Sequence, residues 1–150
     1  MIYTASLKNI VLASVNARTV KGGGGRLRTS DEYRECKECL AVLFRKYRTD
    51  NTFPGPVVVW LAIETAKDID STIKVILDAL QIAEVYKNDK QIDCLHVYRK
   101  KTKRGQFEAV NVKVEEIHDW EKTCAQRGKS DIITSDEAIE ILSRKTPEEA

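Results

Sequence analysis

Hydrophobic positions change period several times along this chain, and the changes divide it into elements. Residues 8–17 (KNIVLASVNA) form an apolar-rich run that predicts a strand. Tyr33, Cys36, Leu40, Leu43, Phe44 and Tyr47 then recur at helical spacing. They predict a helix capped by Thr29 or Ser30 and running to about Arg48, with that stripe buried. Asp31 and Glu32 fall in its first turn and Arg45, Lys46 and Arg48 in its last, as the helix dipole favours. TDNTFPGP breaks the pattern and reads as a loop. VVVWLAIE, residues 57–64, is apolar on both faces, which predicts a central strand. Ile69, Ile73, Ile76, Leu77 and Leu80 make the buried stripe of a helix over 70–81, with Asp70, Lys74 and Asp78 four apart on another face. QIDCLHVYR (91–99) alternates as a strand, KKTKRG turns the chain, and Phe107–Glu116 returns as a strand with Val110, Val112 and Val114 on one face.

The order β, hairpin, α, β, α, β, β predicts an α+β domain: a small mixed β-sheet flanked by two helices. The hairpin is marked by Gly22–Gly25, four consecutive glycines that read as a mobile tip or lid. No Gly-Lys-Ser/Thr follows them at the spacing of a phosphate-binding loop. After the last strand the pattern turns helical. HDWEKTCAQRG stops at Gly128, and Thr134 with Glu137 has capping-box spacing for a last helix through Arg144. The expected division is a domain over 1–116 and an acidic helical C-terminal extension over 117–150.

The chain has 150 residues, 42% hydrophobic and 32% charged, which suits one globular domain with a charged surface. No apolar run reaches the ~18–20 residues that span a bilayer, and the N-terminus lacks the pattern of a signal peptide. A cytoplasmic protein is expected. Cys36 and Cys39 form a single CxxC inside a helical pattern, Cys94 and Cys124 stand alone, and the histidines His96 and His118 lack metal-pair spacing. Reduced thiols with packing roles are the expected reading, His96 is read as structural and Trp60 as core.

The net charge of +2 argues against a dedicated polyanion binder until it is partitioned. Residues 1–50 carry ten Lys/Arg against five Asp/Glu. Residues 51–115 are nearly balanced at ten against nine, and residues 116–150 hold five bases against nine acids. A basic front is masked by an acidic tail.

The most informative segment is DIDSTIK, residues 68–74. Asp68 and Asp70 stand where a central strand ends and a helix begins, a position where functional groups gather. Asp89 follows in the turn after the helix. A twelve-residue helix is ~18 Å long, so Asp89 returns towards its start only if that turn folds back. Three carboxylates converging in water-accessible space stay ionised together only with a cation among them. Hard oxygen ligands of this kind select Mg²⁺ or Mn²⁺, the chemistry of phosphodiester hydrolysis. Taken alone, the motif has a blander reading: Asp70 or Ser71 caps the helix, Lys74 pairs with Asp70 or Asp78, and Asp89 is a turn residue.

DIDSTIKVILDALQ, then KNDKQI, then a strand ending in basic residues, resembles the RusA family of Holliday-junction resolvases, small endodeoxyribonucleases often carried by prophages. The family pattern is Asp-x-Asp-Asn-x-x-Lys, then Leu-Asp-Ala-Leu, then Asp-Asp-x-x-Ile. Asp68, Asp70 and Lys74 fall on the first piece, Leu77-Asp78-Ala79-Leu80 on the second and Asn88-Asp89-Lys90-Gln91-Ile92 on the third. Ser14-Val15-Asn16 is similar to the family's Ser-x-Asn strand end, and the resemblance covers about residues 8–115. It implies a homodimer that binds four-way DNA junctions and makes paired nicks with Mg²⁺ or Mn²⁺ in recombination and repair. Asp68, Asp70 and Asp89 would be the catalytic, metal-binding carboxylates, and Lys74 an assisting residue.

Two positions depart from the pattern. Ser71 stands where Asn is usual, and Asn88 where the first acid of a pair is usual. They leave open a relative that binds junctions and cuts weakly or not at all. Beside an acidic centre a polyanionic substrate needs a positive rim. Asn16, Arg18, Lys21, Arg26 and Arg28 around the glycine tip, and Arg99, Lys100, Lys101, Lys103 and Arg104 at the second tip, are the candidate DNA contacts. Phe107 and Tyr98 could touch bases, but packing is the expected role of both. The acidic extension lies outside the resemblance and is a candidate surface for a protein partner.

Overall fold

A computed structural model describes residues 1–13, 19–21, 27–29, 31–48 and 51–118. The elements are β1 (Ile2–Ile10), β2 (Thr19–Lys21), β3 (Leu27–Thr29), α1 (Asp31–Arg45), β4 (Val57–Thr65), α2 (Ile69–Ile82), a 3-10 turn (Asp89–Gln91), β5 (Ile92–Lys101) and β6 (Glu108–Glu116). Four strands form a mixed sheet in the order β1-β6-β4-β5. β4 pairs with β5 in parallel and with β6 antiparallel, and β6 pairs antiparallel with β1. A parallel neighbour needs a crossover, and α2 supplies it between β4 and β5. β2 and β3 make a separate antiparallel ribbon. The α+β expectation therefore holds for the described residues, while the glycine tip, Cys124 and the extension beyond His118 lie outside them.

Both faces of β4 are apolar because it is an inner strand. Val57, Val59, Leu61 and Ile63 join Val110, Val112 and Val114 of β6 in one core with Tyr33, Leu40 and Phe44 of α1 and Val75, Ile76, Ala79 and Leu80 of α2. The two helices are stitched together along their length. Tyr33 donates from its hydroxyl to Asp78 Oδ2 at 2.6 Å, and Arg45 donates to the Ile82 carbonyl at 2.9 Å. In α2 the buried side is centred on Thr72, Val75, Ile76, Ala79 and Leu80, with Ile73 and Leu77 at its margin. No helix among the described residues is long and apolar enough to cross a membrane.

Three sequence expectations shift. The first strand is Ile2–Ile10, not residues 8–17. Its core face is Tyr3, Ala5 and Leu7, whose alternation with Thr4 and Ser6 is weaker to the eye than the IVLASV run. Leu12 and Ala13 in that run are buried, yet the Leu12 N–H bonds to the Glu108 carboxylate instead of a strand partner. Asn9 takes a positive φ of 56° where the β1–β6 register slips, a bulge that turns the chain out of the ladder. Second, Trp60 is not in the helix-facing core. It stacks on His96 on the other face of the sheet, ring centroids 5.8 Å apart, with Lys113 Nζ 5.0 Å from its ring. Third, β5 runs on to Lys101, so Lys100 and Lys101 belong to a strand and not to a turn.

Candidate active site

The carboxyl end of β4 is held from three directions. Thr102 donates its N–H to the Thr65 carbonyl at 3.2 Å, extending the parallel pairing one step beyond the strand. Arg99 donates to the Lys67 carbonyl at 3.0 Å. Beneath them lies Glu108, whose side chain is 7% exposed. Its Oε1 accepts from the Leu12 N–H at 2.8 Å and from Lys67 Nζ at 2.7 Å, and its Oε2 accepts from the Thr65 hydroxyl. Lys67 also donates to the Leu12 carbonyl. A buried carboxylate is tolerated when charged and hydrogen-bonded partners satisfy it, and here they tie the segment after β1 to the end of β4 and the start of β6, next to Asp68.

The sequence reading did not single out Glu108, Lys67 or Thr65. The signal was present: Glu108 is in phase with Val110, Val112 and Val114, so a carboxylate on the core face of a strand had to have partners.

Asp68 is the N-cap of α2, with extended backbone and no capping hydrogen bond from its side chain. The blander expectation, that Asp70 or Ser71 caps the helix, is thus not what the chain does. Asp70 lies within the first turn. Ser71 turns its hydroxyl back to the Asp68 carbonyl at 2.7 Å. Both carboxylates are exposed.

Asp89 reaches this helix through a fold-back of the chain. α2 closes at Ala83, Glu84 takes a positive φ of 62°, and Phe53 bonds to the Val85 carbonyl at 3.0 Å. Gln91 clamps the next turn: its Nε2 donates to the Phe53 and Gly55 carbonyls, while its Oε1 accepts from the Lys87 and Asn88 N–H groups. Asn88 completes a capping box by accepting from the Lys90 N–H at 2.9 Å. Asp89, exposed on this turn, then comes to 3.7 Å from Lys74 Nζ, whose nearer partner is Asp78 at 2.8 Å. The bond to Asp78 and the charge of Asp89 raise the Lys74 pKa above its ordinary value.

The chain therefore brings Lys74, Asp78 and Asp89 together, with Asp68 and Asp70 at the start of the same helix. Among the described residues no three His, Cys, Asp or Glu side chains stand close enough to share a metal ion. The donor chemistry of Asp68, Asp70 and Asp89 is nonetheless that of a hard divalent cation: carboxylate oxygens, exposed to water, with no backbone donor capping Asp68.

A groove of about 600 Å³ opens beside Asp68. Lys67, Ser71, Arg104 and Glu108 line it, with Val11 and Phe107 on its apolar side.

A family model, endodeoxyribonuclease RusA, matches residues 10–115. The chain belongs to the RusA endodeoxyribonuclease family. The match takes in the whole β4–α2–β5 unit and the connection into β6, so all four motif residues fall inside the RusA span. No curated protein matches the chain.

Of the candidate DNA contacts, Asn16, Arg18 and Arg26 lie outside the described residues. Lys21 and Arg28 fall on the β2–β3 ribbon. Lys101, Lys103 and Arg104 are exposed at the end of β5 and on the turn into β6. Lys100 approaches Glu64 at 3.9 Å, and Arg99 holds the Lys67 carbonyl. Phe107, expected to pack, is instead 67% exposed. Cys36 does pack: it accepts from the Ala13 N–H at 3.3 Å, and burial raises its thiol pKa, which makes it a poor nucleophile.

Proposed function

We propose that this chain is a Mg²⁺- or Mn²⁺-dependent endodeoxyribonuclease that resolves four-way DNA junctions by paired phosphodiester hydrolysis, working as a homodimer in recombination and repair. Family membership supplies the class of reaction. The observation that carries the site is the Lys74–Asp89 pair, which returns the third acid of the motif to the helix that begins at Asp68 and Asp70.

Asp68, Asp70 and Asp89 would hold the divalent cation, which when bound supplies the charge that makes water a nucleophile and steadies the leaving oxygen. The protein's own groups do the rest. Asp68 and Asp70 stand at the N-cap and in the first turn of a helix whose N-terminal dipole favours negative charge, including a phosphate. Lys74 stays protonated across the neutral range because Asp78 and Asp89 hold its proton. It can therefore face the charge that builds on a phosphate without giving a proton away. Lys101, Lys103 and Arg104 give the site a positive margin that binds backbone without reading sequence. A two-fold dimer would match the pseudo-symmetry of a four-way junction.

The two departures from the family pattern have local roles compatible with activity. Ser71 braces the backbone at Asp68, and Asn88 caps the turn that carries Asp89. Each supports the segment holding a motif acid.

A synthetic four-way junction incubated with the full chain tests the proposal. Symmetric nicks that require Mg²⁺ or Mn²⁺ are expected. Tight junction binding with no nicks under either ion would instead mark a junction-binding relative that has lost cutting.

A further inference from the structure

Two of the most exposed apolar side chains among the described residues stand at the same groove. Val11 and Phe107 are each 67% exposed, and both line the cavity that holds Asp68 and Arg104. An aromatic ring left this open forfeits its burial, and its mounting is firm. Gly105, at φ 85°, makes the turn before it, and Gln106 closes the tip by accepting from the Lys103 N–H at 3.1 Å. The next residue is Glu108, fixed by Leu12, Thr65 and Lys67. The ring is thus presented to solvent from a braced backbone, with a guanidinium on the same groove.

We propose that Phe107, backed by Val11, is a stacking platform for a nucleobase displaced from the helix at the branch point, while Arg104 takes the adjoining phosphate. This rests on the junction-nuclease reading and adds a base-contacting residue to it. Linear duplex keeps its bases stacked, whereas a branch point exposes base faces at little cost. A ring offered to solvent rewards only the second. The groove's volume is of the order that encloses one small organic group, and its mixture of ring, cation and carboxylate suits a nucleotide better than an apolar ligand.

The test compares wild type, Phe107→Ala and Phe107→Trp for binding to a four-way junction and to linear duplex of the same length, with Ca²⁺ in place of Mg²⁺. Thermal melting of each variant checks the fold. Phe107→Ala should weaken junction binding about ten-fold or more, leave duplex binding and the salt slope unchanged, and melt like wild type. Phe107→Trp should restore junction binding. A 2-aminopurine at the branch point should brighten with wild type and not with Phe107→Ala. Unchanged junction affinity in Phe107→Ala, or equal loss on junction and duplex, overturns the stacking role while the nuclease reading stands. Failure of wild type to prefer junction over duplex overturns both.

Discussion

Lys74 joins two carboxylates from different parts of the chain, Asp78 one turn along its own helix and Asp89 on the turn beyond it. Its folded pKa is raised, so the stabilisation from this pairing is fully present below the ordinary lysine value of 10.5 and is lost as pH rises through the higher folded value. Its side chain is 40% exposed, so solvent screening limits the worth of the pair to at most ~1 kcal/mol. We expect Lys74→Gln to be slightly less stable than wild type at pH 8, with the gap closing above pH 10.5. Urea unfolding at the two pH values checks this. Nicking should fall far more than stability does, because the charge faces the site.

At this scale the sequence was most legible: the motif pieces that resemble the RusA pattern point to Asp68, Asp70, Lys74 and Asp89, where spacing by itself also allows caps and a turn, and the chain does bring Lys74 to Asp89. The sequence offers Asp70 or Asp78 as the partner of Lys74, and the chain takes Asp78. That choice depends on the helix rotamer and on Tyr33 bonding the other oxygen of the same carboxylate.

At the scale of elements, the strand end that carries Asp68 depends on a buried charge. Glu108→Ala would leave the Leu12 N–H and the Thr65 hydroxyl without their acceptor and Lys67 without its counter-charge. A loss of about 2–4 kcal/mol is expected, read from the urea midpoint. Activity should drop further than in a core variant of equal stability, such as Ile76→Ala, because the β4 end itself loosens. An equal drop in both would mean that Glu108 serves stability alone.

Helices and inner strands were readable because their periods are long and apolar, as in Val57–Ile63 and the α1 stripe. β1 was misplaced because Thr4, Ala5 and Ser6 carry little hydrophobic contrast, and because a side-chain acceptor captured Leu12. The return of Asp89 depends on Gln91 bonding to a loop more than thirty residues away, a contact that no local pattern contains.

For the whole molecule, the charge map matters more than its total. The overall +2 mixes the basic first fifty residues with an acidic end, while Arg104, on the connection from β5 to β6 that also carries Lys103, lines the same groove as Asp68. Replacing Lys101 and Lys103 by Gln should weaken binding to junction and duplex alike and reduce the slope of log affinity against log salt by about two. An unchanged slope, measured by fluorescence anisotropy at several salt concentrations, would place the phosphates elsewhere.

The most direct test of the central claim separates cutting from holding at one carboxylate. Asp70→Asn removes one negative charge at the first turn of α2 and little else. Four-way junction nicking in Mg²⁺ should disappear, while junction affinity is kept or improved by relief of repulsion from phosphate. Nicking at the wild-type rate in this variant would contradict the assignment of the active site.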